Sequence, residues 1–83
     1  MPPLGNAAGY ELIRYIAHCD EYTIALLTHP NGSECVGVTW NGTKGRVGFP
    51  QSFGNQVWFI LPEPIAGLVL VHERAIAQAV GLP

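Results

Sequence analysis

Residues 30–43 read PNGSECVGVTWNGT, and how this stretch is read decides the fold. Asn-Gly occurs at residues 31–32 and again at 41–42, each time followed by Ser or Thr. Both are formal N-glycosylation acceptors. Both are also strong short-range signals for a tight hairpin turn, whose two central residues need φ > 0. Between them, Val36, Val38 and Trp40 alternate with Cys35, Gly37 and Thr39, as on a half-buried strand. The preceding EYTIALLTHP is rich in β-branched and aromatic residues and reads as the partner strand. A two-residue loop at Asn31-Gly32 sets Leu27 opposite Val36 and Ala25 opposite Val38. A loop of two or four residues after Trp40 carries the chain into TKGRVGF. Either length keeps Val47 and Phe49 on the face of Val36, Val38 and Trp40, because the two differ by an even step.

Working outward, QVWFIL (residues 56–61) reads as a fourth strand, apolar on both faces and so central or covered on both sides. Apolar residues at Ile65, Leu68, Val69, Ala75, Ile76, Ala79 and Val80 predict a C-terminal helix over 64–80, with Pro64 at its start and Gly81 at its end. The Val-Leu-Val run leaves a strand over 67–72 as the alternative. On the N-terminal side, Leu12, Ile13, Ile16 and Ala17 share a helical face, which predicts a helix over 10–18. A strand is the alternative, since Tyr10, Leu12 and Ile16 also share a strand face. Residues 1–9 are Pro- and Gly-rich and are expected to be flexible. The expected fold is a small α+β domain spanning 1–83. A three- to four-stranded antiparallel meander over about 21–61 is flanked by an N-terminal and a C-terminal helix. Ala25, Leu27, Val36, Val38 and Val47 share one sheet face in this reading, and Tyr22, Ile24 and Leu26 the other.

Composition says how the surface is used. Only 12% of the 83 residues are charged, against ~25% in an average domain, while 48% are hydrophobic. A domain this small buries only about 60–65% of its unfolded surface. Apolar surface is therefore left over for a partner protein or a second copy of the chain. The net charge is −2, with four basic residues, Arg14, Lys44, Arg46 and Arg74. Four scattered cations make a poor phosphate footprint, which argues against nucleic-acid binding. The opening residues hold neither a basic region nor an apolar run of signal-peptide type. The longest apolar run, IAGLVLV, is too short to span a bilayer. The expectation is a cytoplasmic protein, and the two Asn-Gly pairs are read as turns.

Motifs of chemistry are sparse. His18 and Cys19 in HCD are the densest pair of metal-ligand types, yet C-x2-C and H-x3-H spacings are absent. Cys19 or Cys35 with one of three histidines would suit a thiol dyad, but no nucleophile elbow accompanies them. No cofactor is expected. Aromatic residues are concentrated in the β half, and Lys44 and Arg46 stand in the same hairpin. Aromatic and arginine side chains together are typical of binding hot spots. Trp40, Phe49 and Trp58 are expected in the core. Phe53, flanked by polar residues and Gly, is the aromatic expected in solvent.

Two short resemblances involve these residues. GRVGFPQSF is similar to a stretch of SH3 domains over nine residues, without that family's acidic loop or opening motif. RAIAQAVGLP resembles the first helix and turn of a helix-turn-helix, and no recognition helix follows within the 83 residues. Neither function carries over. The expected function is a protein-interaction module that binds or occludes a partner protein, of the kind encoded by phages and mobile elements, and that self-associates. The expected partner-binding residues are Tyr22, Lys44, Arg46 and Phe53. A single-stranded nucleic-acid-binding β-domain using Trp40, Phe53, Lys44 and Arg46, or a zinc- or thiol-dependent enzyme subunit, are the alternatives.

Overall fold

The computed structural model describes residues 3–42 and 47–81. Three long strands come first: β1 (Glu11–His18), β2 (Tyr22–Thr28) and β3 (Glu34–Trp40). Three two-residue strands follow, β4 (Gln51–Ser52), β5 (Asn55–Gln56) and β6 (Phe59–Ile60). Two helices close the chain, α1 (Ile65–Val71) and α2 (Glu73–Val80). The main sheet has four strands in the order β1-β2-β3-β6, antiparallel throughout, and β4 and β5 form a separate hairpin. No helix among the described residues is long and apolar enough to cross a membrane.

The N-terminal helix expected over 10–18 is a strand. Its register against β2 slips twice, leaving Ile13 and Ile16 unpaired in bulges. Leu12 and Tyr15 therefore face Leu27 and Ala25, while Arg14 and Ala17 face Leu26 and Ile24. Each slip lengthens the side-chain repeat from two residues to three. A doubly bulged strand thus carries the i, i+3 spacing by which a helix is recognised. The bulges also twist this edge strand, and both its ends are capped. The Leu12 amide donates to Asn6 Oδ1 at 2.7 Å, and the His18 amide to the Gly81 carbonyl at 3.0 Å. Capped, bulged edges resist pairing with other chains.

The β2–β3 register differs by one residue from the expected one. Leu26 faces Val36, Ile24 faces Val38, and Leu27 faces Cys35. The reason is the loop. His29 pairs with Ser33 and Gly32 donates to the His29 carbonyl at 2.8 Å, so three residues, not two, turn the chain. Gly32 holds a φ of 94°, the left-handed position of a three-residue hairpin loop. Asn31 is held instead by its side chain, whose Oδ1 accepts from the Ser33 amide at 2.9 Å. One residue of slip exchanges the faces. Tyr22, Ile24, Leu26, Val36, Val38 and Trp40 share one face, and Ala25, Leu27, Cys35 and Gly37 the other.

The second expected turn is longer. Trp40 bridges to Phe49 through two backbone hydrogen bonds of 2.7 and 2.9 Å, so eight residues separate the bridged pair. Eight residues keep the parity of two or four, and Phe49 stays on the Trp40 face. Asn41 is a clip rather than a turn residue. Its Nδ2 donates to the Cys19 carbonyl at 2.7 Å, and its Oδ1 accepts from Thr23 at 2.9 Å. QVWFIL contributes only β6, which lies at the sheet edge and not in its centre.

Each face has its own core. On one, Ile16, Ala17, Leu26 and Val36 pack with Ala66 of α1 and with Ile76 and Val80 of α2. The helix expected over 64–80 is divided at His72, so α2 lies against β1 while α1 lies against β3. An exposed ion pair ties α2 to the edge strand, with Arg14 Nε and Nη2 at 2.9 and 2.7 Å from the Glu73 carboxylate. On the other face Ala25 and Leu27 pack with Trp58, Leu4 and Ala7. Gly37 lets the indole approach. A Cβ there would lie 2.6 Å from Leu27 Cδ1 and 3.0 Å from Trp58 Cε3.

Gly37→Ala should therefore lower stability by about 1–3 kcal/mol, read as a lower urea midpoint at unchanged slope. A second expectation concerns acid. The hydrogen bond from Arg14, with its charge, holds the Glu73 carboxyl below its ordinary value. A folded-state value below the unfolded one gives a contribution that is present above the ordinary glutamate range, about 4.3. That contribution is lost as pH falls through the folded value. Glu73→Gln should flatten this part of the stability–pH curve, and identical acid limbs in the two proteins would disprove the linkage.

Candidate partner-binding surface

The two helices are 7 and 8 residues long, about 10–12 Å each at 1.5 Å per residue. Seven-residue strands run for about 23 Å. The helices cannot cover their whole face of the sheet, and Trp40 at the end of β3 is left open. Trp40, paired with Phe49 on one side and Tyr22 on the other, is 47% exposed, and Phe49 is 63% exposed. The two rings lie 6.4 Å apart between centroids at a tilt of 59°. Phe59, opposite Val38, is 49% exposed on the same face. The placement of Trp40 and Phe49 corrects the expectation that they belong to the core. Trp58, at 5% exposure, does belong to it.

This row is rigidly held. Thr39, wholly buried on the opposite face, places its hydroxyl 3.1 Å from the Phe49 carbonyl and 3.2 Å from that of Val57. Gln56 Nε2 donates to Thr39 Oγ1 at 2.7 Å and to the Trp40 carbonyl at 2.9 Å. The chain from 47 to 57 is thereby stapled back to β3. Gly48 fits beneath this staple because a Cβ there would collide with the Trp40 carbonyl.

On the other side of the sheet a groove of about 410 Å³ runs between residues 4–8 and the β4–β5 hairpin. Its banks hold the only two non-glycine residues with positive φ among the described residues, Ala8 at 55° and Phe53 at 51°. Each precedes a glycine that is also positive, Gly9 at 83° and Gly54 at 79°. Ala7 bridges Tyr10, and Ser52 pairs with Asn55. Both are two-residue turns of the primed type, with Ala or Phe where Asn is preferred. Phe53 is exposed to 103% of its reference area, so its ring touches nothing that would offset the left-handed backbone.

Of the residues expected to bind a partner, Tyr22 is half-buried on the helix side and Phe53 projects from the hairpin beside the N-terminal segment. Lys44 and Arg46 lie outside the described residues. The sequence reading missed Phe59. Its exposure rests on where the two short helices lie on the sheet, which no local sequence signal gives.

His18 is tied into the Thr23–Asn41 hydrogen-bond network at the end of β1. Thr23 gives its single hydroxyl proton to Asn41, so His18 Nδ1, 2.7 Å away, donates to Thr23 Oγ1. Cys19 is half-buried beside it, and burial pushes the Cys35 thiol up, away from the reactive thiolate. Among the described residues no three His, Cys, Asp or Glu side chains converge to hold a metal ion. No family model matches the chain, and no curated protein and no solved structure matches it either.

A left-handed Phe costs about 1–2 kcal/mol relative to a residue that tolerates the region. Phe53→Asn should therefore raise stability by about 1 kcal/mol, because no packing is lost at a fully exposed site. A lower urea midpoint for Phe53→Asn would show that the ring is supported within the chain.

Proposed function

We propose that the chain is a protein-interaction module that binds by inserting the Phe53 hairpin tip into an apolar recess of a partner protein. The observation that supports this reading is Phe53 itself, a fully exposed aromatic ring at a hairpin tip, in a backbone conformation that disfavours it. Strain of this kind, unrelieved inside the chain, marks functional positions. An exposed aromatic tip on a two-residue turn is a knob, and knobs of this kind act as binding anchors. The groove behind it, lined by Asn6, Ser52, Asn55 and Gln56, offers uncharged hydrogen-bonding groups to the rim of the recess. The chain would act by occupying a site on its partner and would need no chemistry of its own. That is the working mode of small inhibitors of the phage and mobile-element kind.

The test compares wild-type and Phe53→Ala protein as bait in extract of the source organism, followed by affinity measurement on the protein retained. Loss of an anchor should weaken binding by at least about 2 kcal/mol, roughly 30-fold. Binding should change little with salt, whereas phosphate-driven binding to nucleic acid weakens steeply. Equal affinity of the two baits would exclude Phe53 as the anchor.

A further inference from the structure

We infer that the open aromatic face on the helix side of the sheet, formed around Trp40, Phe49 and Phe59, pairs with the same face of a second copy of this chain. The surface is distinct from the Phe53 groove, which lies on the other side of the sheet, and the inference does not rest on the reading of Phe53.

Area is the first argument. A monomer of 8.9 kDa is expected to expose about 4,800 Å². The chain exposes 5305 Å². The three rings, 47–63% exposed, present roughly 300 Å² between them. Ile65 and Leu68 of α1, 49% and 56% exposed, add about 200 Å² of exposed apolar surface on the helix side of the sheet. A standard interface covers about 800 Å² per partner, of which the central part is apolar and the rim polar. The open face thus supplies the core of an interface of ordinary size.

Charge is the second argument. A two-fold interface sets a surface against itself, so any charge in it meets its own copy. Tyr22, Val38, Trp40, Phe49, Phe59 and Leu68 carry none. Rigidity is the third. The staple through Thr39 and Gln56 fixes the Phe49 backbone beside Trp40 before association, so this segment does not have to order on binding. Pairing here would leave both Phe53 tips free on the outer faces.

The experiment is sedimentation equilibrium of the intact chain from about 1 µM to 1 mM. The expected result is a mass rising to twice 8.9 kDa. Phe49→Lys and Phe59→Lys, made singly at exposed positions, should each weaken the dimer by roughly 30-fold or more. Phe53→Ala should leave the dimer unchanged, which separates this surface from the partner-binding tip. Acrylamide quenching of wild-type tryptophan fluorescence gives a readout without mutation. Trp58 is buried throughout, so quenching should rise on dilution as Trp40 is uncovered. A monomer at about 1 mM, a dimer indifferent to both lysine variants, or quenching that does not change across the dissociation range would each overturn the inference.

Discussion

The Trp58 side chain packs closely on β3 because Gly37 has no side chain to keep it away. From that position the ring fixes three parts of the chain at once. It packs on Ala25 and Leu27 of the sheet face. Its Nε1 donates to the Gly5 carbonyl at 2.8 Å, anchoring the N-terminal segment across the same face. And because Trp58 immediately precedes β6, its seat delivers Phe59 and Ile60 to the edge of β3. One side of the sheet is thereby sealed without a helix. An aromatic ring of this size buries as much apolar surface as two or three small side chains, which matters in a domain with so little interior. The consequence falls on the other side. All the helical residues are available for that face, but they are few, and β1 and the near end of β3 take them.

Two buried threonines face each other across β2 and β3 at the point where the core ends. Thr23 holds Asn41 and His18, and Thr39 holds the returning chain near Phe49 and Val57. A buried hydroxyl without a partner costs 1–3 kcal/mol. No buried side-chain polar atom is left unpaired among the described residues. The polar network therefore does what apolar packing does elsewhere. It fixes the loops that carry the aromatic row, with no surface spent on burying the row itself.

How far the fold can be read from the residues follows from these local contests. The β2–β3 hairpin, the C-terminal helical region and the overall class were legible, because hydrophobic alternation and 3–4 spacing are strong there. The first strand was not. Its two bulges, at Ile13 and Ile16, imitate helical periodicity. The turns were legible as turns but not in type. Both Asn-Gly pairs have other employment, one in a three-residue loop and one as a side-chain clip, while Ala8-Gly9 and Phe53-Gly54 take the primed turns. Glycine supplies one of the two positive φ values such a turn needs. The residue before it is then decided by what surrounds it. Which aromatics are covered was not legible either, since that depends on where short helices land and on a one-residue register.

The exposure of Phe53 was readable because it rests on neighbours in sequence, and the exposure of Trp40, Phe49 and Phe59 was not, because it rests on the sheet's geometry. The same distinction separates the two surfaces physically. Phe53 stands alone on a strained turn, so its removal should relieve the chain, and its retention has to be explained by something outside it. The aromatic row is supported by hydrogen bonds from behind, so it is part of the fold and its exposure is a matter of unfinished burial. A lone strained knob suits a concave site on a different protein. A face whose row of Val38, Trp40, Phe49 and Phe59 is uncharged would suit the proposed second copy, because symmetry doubles the apolar area that leaves water. The sparse charge of the chain fits both uses. With only four lysines and arginines and six acidic residues, the surface offers little else by which a partner could be recognised than shape and apolar contact.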